Sequence, residues 1–201
     1  MSLIIGIKTH HGIVISADRR ISIEYEDNTI RRFAVITDNE QKLFVTENGI
    51  AIAYIGSSGI PPISSILENA CQRYSNHTPL TTIIEEMKQI TKNYKINILL
   101  FAYENNIPKI LSINSENEKD MSSYPIVYSG ATEIVNKLNS FPINFDFFNL
   151  QDAIDYSRFL IFITAKMQSF SIINQSVSKD CDTLVITPEH YIWIEQNKLH
   201  S

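Results

Sequence analysis

The chain of 201 residues is 44% hydrophobic, enough to bury a sizeable core, and its length predicts one domain over residues 1–201. With 17 Lys and Arg against 22 Asp and Glu its formal charge is -5, which argues against the basic footprint of a nucleic-acid binder. The longest apolar runs, such as residues 96–103, are strand-sized and fall short of the roughly 20 residues a membrane helix needs. Cys71 and Cys181 lie far apart and outside any CxxC or zinc spacing, so no disulfide framework and no metal site is expected. The opening MSLIIGIKTHHG has neither the basic region nor the cleavage site of a secretory signal, which predicts a cytoplasmic protein whose mature chain starts at or just after Met1.

In chain order, residues 3–8 and 13–17 are β-branched runs around Thr-His-His-Gly, the pattern of a hairpin turning at His10 to Gly12. From Ser22 to Asn39 the sequence is polar and predicts a long surface loop with one short strand at residues 33–36. Residues 41–46 and 50–55 form a second hairpin around Glu47-Asn48-Gly49, since Asn-Gly supplies the positive φ of a tight turn. Gly56-Ser57-Ser58-Gly59 reads as a strand-to-helix turn. After Pro61-Pro62, Ile63, Ile66, Leu67, Ala70 and Tyr74 share one helical face; behind Pro79, Leu80, Ile83, Ile84, Met87, Ile90 and Tyr94 keep the same 3.6-residue period.

Residues 96–103 and 107–113 make a third hairpin around Glu104-Asn105-Asn106. The polar stretch 114–123 leads into a buried strand at 126–128 and a Ser129-Gly130-Ala131 turn. Helices are predicted at residues 132–138 and 150–167, a polar irregular segment at 169–180, and a last hairpin at 182–187 and 191–195. Helix pairs alternating with antiparallel hairpins predict an α+β fold, most simply a four-layer αββα sandwich of two antiparallel sheets with a helix pair outside each.

Four motifs occur in order: Ser2-Leu3-Ile4-Ile5-Gly6-Ile7, Asp18-Arg19-Arg20, Gln41-Lys42-Leu43-Phe44 and Tyr54-Ile55-Gly56-Ser57-Ser58-Gly59. Their order and spacing resemble the opening of proteasome β-type subunits of bacterial style. In that family an N-terminal Thr precedes a strand ending in Asp-x-Arg, a lysine-bearing strand and an Ala-Gly-Ser-x-Gly turn. Val127-Tyr128-Ser129-Gly130-Ala131 and the closing Asp182-Thr183-Leu184-Val185-Ile186-Thr187-Pro188 extend the resemblance over nearly the whole chain.

The resemblance implies an N-terminal nucleophile hydrolase, a threonine-type peptidase in which serine is the nucleophile. Removal of Met1 exposes Ser2, whose α-amine, with an ordinary pKa near 8, acts as base for its own hydroxyl. It places Lys42 beside the nucleophile, held by Asp18 and lowering the hydroxyl pKa, with the Gly56 N–H as oxyanion hole and Ser129 near the terminal amine. Ile21, Glu40, Tyr54 and Ser58 then line the substrate pocket, which the Tyr54 ring shrinks, while Arg19 is expected to be solvated. The chemistry needs no cofactor and no metal. Substrates are peptides or unfolded proteins, and the implied assembly is a homo-oligomeric ring with an unfoldase partner left open.

One stretch departs from the family pattern. Members carry an acid and a serine before a Gly-rich turn ahead of the last hairpin, whereas residues 168–180 contain no glycine, and Asp180 is the candidate replacement acid. Two other functions fit the same motifs: a catalytically inactive ring subunit of the same fold, and a small-molecule amidase. Ser176-Val177-Ser178-Lys179 matches an SxxK pattern without its companion motifs and carries no weight.

Overall fold

Leu3–Thr9 (β1) and Gly12–Asp18 (β2) pair as an antiparallel hairpin, and the alternation of their apolar residues decides what lies on each side of them. The computed structural model describes residues 2–27, 30–56, 61–138, 140, 142–170 and 175–196. Within them the chain continues through Ile21–Asp27 (β3), Ile30–Thr37 (β4), Leu43–Val45 (β5) and Ala51–Ile55 (β6) to the helices Ile63–Arg73 (α1) and Leu80–Tyr94 (α2). Asn97–Glu104 (β7), Ile107–Ile113 (β8), Glu118–Asp120 (β9) and Ile126–Gly130 (β10) follow. Helices Glu133–Leu138 (α3) and Leu150–Ser169 (α4) precede the final strands Cys181–Ile186 (β11) and Tyr191–Glu195 (β12). The result is an α+β fold with three antiparallel sheets, ordered β10-β1-β2-β11-β12, β5-β6-β7-β8-β9 and β3-β4.

Three buried apolar clusters follow from strand alternation. Leu3, Ile5, Ile7 and Val14 face α4 and meet Ala153, Leu160 and Ile161. Ile52, Tyr54, Ile98 and Leu100 face α1 and α2 and meet Ile63, Leu67, Ile83 and Met87. The opposite faces of the two five-stranded sheets supply a third cluster, in which Ile4, Ile13, Ile15 and Leu184 join Ala51, Ala53, Leu99 and Phe101. Gly6 is part of that contact: a Cβ there would sit 2.4 Å from Phe101 Cε1, so the missing side chain is what admits the ring.

Local chemistry starts and stops the elements. Both α1 and α2 begin directly after a proline, and α4 begins with a capping box in which Asn149 accepts from the Asp152 N–H and Asp152 accepts from the Asn149 N–H. Asn105 and Asn106 both take positive φ, 52° and 64°, the geometry of a two-residue hairpin turn between β7 and β8. The polar Ser157 of α4 is buried but satisfied, its hydroxyl 2.8 Å from that of Ser16, which lies 3.0 Å from the Thr183 hydroxyl. Among the described residues no helix is long and apolar enough to cross a membrane.

Three segments differ from the sequence reading. Residues 22–39, expected as a loop, contain most of the β3-β4 hairpin, with Tyr25 opposite Arg32 and Ile21 opposite Thr37. Ile23, Val35 and Ile36 are exposed there, so at these positions burial does not impose the alternation that would have announced strands. β9 is missed for the same reason, its three residues all being exposed on a sheet edge. Ser129 and Gly130, expected as a turn, are the last residues of β10, opposite Ile4 and Leu3 respectively.

The Gly6–Phe101 contact yields a direct expectation. Gly6→Ala should cost about 1–3 kcal/mol, as overpacking of a close core does. Urea denaturation should show this loss in Gly6→Ala and its partial recovery in Gly6→Ala/Phe101→Leu; an unchanged midpoint in the single variant would contradict the packing described.

Candidate active site

Asp18 ends β2 with no exposure to water, and its carboxylate collects four donors. Oδ1 accepts the Leu3 N–H at 2.8 Å and the Lys42 ammonium at 3.0 Å; Oδ2 accepts the Arg20 N–H at 2.9 Å and the Ser178 N–H at 3.2 Å. A polar group buried this fully is costly unless it is hydrogen-bonded. One oxygen atom thus joins the peptide that follows Ser2 to the side chain of Lys42.

Lys42 immediately precedes β5, is 2% exposed, and donates a second hydrogen bond to the Arg20 carbonyl. Burial pushes its ammonium below the ordinary lysine value, while the carboxylate of Asp18 pulls it back up. An ammonium has three donors, and among the described residues two are engaged, which leaves one for a further acceptor.

Ser2 is itself buried, 5% exposed, and its carbonyl accepts the Ala131 N–H at 2.7 Å. Beside it Gly130 has φ of 103°, and a Cβ at that position would lie 1.8 Å from the Ser2 carbonyl oxygen and 3.1 Å from Ile55 Cδ1. Only glycine permits that approach, so β10 closes on the first residues of β1 and on the end of β6 at one point. Gly56 follows Ile55, is exposed, and has its own lack of a side chain enforced by Ile96, whose Cγ2 would stand 2.4 Å from a Cβ. Ser129, half-buried, pairs in register with Ile4. Ser2, Lys42, Asp18 and the end of β6 therefore converge around the start of the chain.

The expected pocket residues separate into two groups. Glu40 and Tyr54 are joined, the fully buried Tyr54 donating its hydroxyl to Glu40 at 2.9 Å; burial raises the phenol pKa, so the tyrosine is a neutral donor. Glu40 is anchored in turn by its N–H on the Arg19 carbonyl at 2.9 Å. Ile21 is half-buried at the start of β3. Ser58 lies outside the described residues.

The segment before β11 shows what sequence reasoning missed. Ser176, Val177 and Ser178 are buried, although their composition reads as loop. Ser178 holds Asp18 through its N–H, accepts the Arg19 N–H at 3.0 Å on its hydroxyl and donates that hydroxyl to the Asp180 carbonyl at 2.7 Å. Asp180 is exposed and contributes this carbonyl to the network. Arg19, expected to be solvated, is instead bound to the buried Asp182 by two hydrogen bonds, at 2.9 and 3.1 Å, because β11 runs beside β2 and sets Asp182 opposite Ala17. Arg20 grips Asp38 through two nitrogens, at 2.6 and 2.9 Å, and also donates to the Gln175 carbonyl. The family resemblance of the Asp-x-Arg motif pointed to Asp18; no periodicity pointed to Ser178 or Asp182.

Compared with models of known families and with curated proteins, the chain matches none.

Two outcomes follow from this network. Asp18→Ala leaves three main-chain N–H groups and a buried ammonium without their acceptor and should cost about 3–5 kcal/mol, whereas Lys42→Met keeps the three N–H donors on Asp18 and should cost less. Denaturant unfolding of the two variants checks the order, and equal losses would contradict it. The Arg20 guanidinium holds the Asp38 carboxyl below the usual carboxylate range. Because that folded value lies under the unfolded one, the stabilisation is present above about pH 4 and is lost as pH falls through the folded value. In an NMR titration the Asp38 midpoint should rise in Arg20→Gln; an unmoved midpoint would remove the cause assigned.

Proposed function

We propose that the protein is an N-terminal nucleophile hydrolase resembling proteasome β-type subunits, which cleaves peptide bonds through Ser2. The observation that carries this reading is the shared oxygen of Asp18, which ties the Ser2–Leu3 peptide and Lys42 into one buried cluster at the start of the chain. The three apolar clusters support a four-layer αββα arrangement, helices outside two face-to-face sheets. Two closed layers would hold Ser2 at the end of the inner strands.

In this mechanism removal of Met1 frees the α-amine of Ser2. The amine takes the hydroxyl proton as Oγ attacks the peptide carbonyl, and the Lys42 N–H not used by Asp18 or Arg20 stabilises the developing alkoxide. Collapse breaks the C–N bond, the protonated amine gives its proton to the leaving nitrogen, and water then releases the acyl group from Ser2. Exposure of Gly56 beside this point suits an N–H donor for the oxyanion. By the family resemblance Tyr54, hydrogen-bonded to Glu40, would narrow the substrate pocket and favour small side chains. A homo-oligomeric ring would confine such a peptidase, and closed symmetry is the usual outcome of one repeated interface.

An inactive member of the same fold is the second reading, favoured by one observation: Asp180 is exposed and offers its carbonyl rather than a carboxylate to the network around Asp18. The two readings part on labelling. Intact mass after treatment with an epoxyketone or a β-lactone should show a chain lacking Met1 and a single adduct on Ser2, and Ser2→Ala should abolish both adduct and peptide hydrolysis. Ser2→Thr should keep or raise the rate, because the γ-methyl restricts χ1 and preorganises the hydroxyl. Hydrolysis should rise with pH through about 8, where an α-amine loses its proton. Met1 fully retained in an active preparation, or activity in Ser2→Ala within a factor of two of wild type, would sink the mechanism.

A further inference from the structure

Beside β5 the free edges of the two five-stranded sheets approach each other. β5 ends one sheet and β12 ends the other, and α1 closes the gap between them. The cavity left there has a volume of about 350 Å³, within the range of small-molecule sites. Four aromatic rings line it: Phe44 from β5, Tyr74 at the end of α1, and Tyr191 and Trp193 from β12. Phe44 and Tyr74 are buried, and Phe44 is backed by the stacked ring of Tyr54 at 6.4 Å, so this part of the wall is rigid.

The charges around the rings have one sign. Glu47, in the turn after β5, and Glu68, on α1, line the cavity, and no Lys, Arg or His does. Neither glutamate makes an ion pair among the described residues, and the nearby Arg73 is taken by Glu86. Burial pushes the Cys71 thiol in the same wall up to about 12, so it is neutral and unreactive at physiological pH. Aromatic faces attract a cation most strongly when it is weakly hydrated, and carboxylates at the rim add charge without needing a short hydrogen bond. Among the described residues no group of three or more His, Cys, Asp or Glu is placed to hold a metal ion, and an anion would be repelled by the two carboxylates.

We propose that this cavity binds an alkylated ammonium, held among Phe44, Tyr74, Tyr191 and Trp193 with Glu47 and Glu68 as counter-charges. The site is separate from Ser2 and does not depend on the hydrolase reading. Its occupancy would clamp β5 against β12, two residues along the chain from Lys42, so the same ligand also bears on the strand that positions the lysine.

Trp193 is the single tryptophan of the chain and reports on the site directly. Full-length protein should be titrated with choline and with its neutral isostere 3,3-dimethyl-1-butanol at constant ionic strength, following Trp193 emission and, independently, saturation transfer to the ligand methyl protons. Choline should bind saturably and roughly tenfold more tightly than the isostere. Glu47→Gln/Glu68→Gln, both on exposed positions, should weaken choline several-fold and leave the isostere unchanged, and Tyr191→Ala should weaken choline without unfolding the protein. A peptide bearing trimethyllysine forms the second arm: tighter binding than choline would identify a modified chain as the source, weaker binding a free amine. Absence of saturable binding by both readouts, equal affinity for choline and the isostere, or unchanged affinity in the double variant would overturn the proposal.

Discussion

A carboxylate without access to water has to be satisfied from inside the protein, and Asp18 is satisfied by groups from four separate parts of the chain. Leu3 at the N-terminus, Arg20 just beyond β2, Lys42 before β5 and Ser178 in the segment before β11 all donate to it. Charge-assisted hydrogen bonds to one buried acceptor are worth more than neutral ones and are costly to leave unmade. The acid therefore works as a knot, and the geometry around Ser2 depends on it.

The second constraint is steric. The two large sheets approach closely enough that Gly6 must lack a side chain to receive Phe101, and Gly130 must lack one to pass the Ser2 carbonyl. These contacts act on β1 from two sides. Phe101 fixes it against the facing sheet, and Ala131, just past β10, holds the residue before β1 by donating its N–H to the Ser2 carbonyl. Ser2 and Leu3 are thereby buried and held by packing from both sheets.

Charged residues outside the knot are organised by strand pairing. Arg19 lies next to Asp18 in sequence but projects to a different partner, Asp182, because successive residues leave an extended chain on opposite sides. Arg19 also lies 3.7 Å from Glu195 on β12, which pairs with Arg158 on α4. That chain of alternating charges links the end of β2 to the last strand and to the helix covering the sheet. Arg20, on the other side, ties Asp38 and the Gln175 carbonyl to the same corner.

The sequence by itself determined the elements with a buried face and a legible period. The β1-β2, β5-β6, β7-β8 and β11-β12 hairpins, and helices α1, α2 and α4, follow from apolar periodicity, from proline at the starts of α1 and α2, and from Asn-Gly or Asn-Asn at turns. Asp18 and Lys42 were singled out by the resemblance of their motifs to a known family, and a lysine among apolar strand residues is costly without a partner. Only the tertiary structure decided the rest. In the β3-β4 ribbon Ile23, Tyr25, Val35 and Ile36 are exposed, and so are all three residues of β9, so neither leaves a clear periodic signal. Ser178 and Asp182 acquire their roles from residues far away in sequence, Asp18 and Arg19, to which β11 carries them by pairing with β2. A hydrogen bond between residues so distant leaves no trace in local composition, because what selects the serine or the acid is a partner that only the folded sheet supplies.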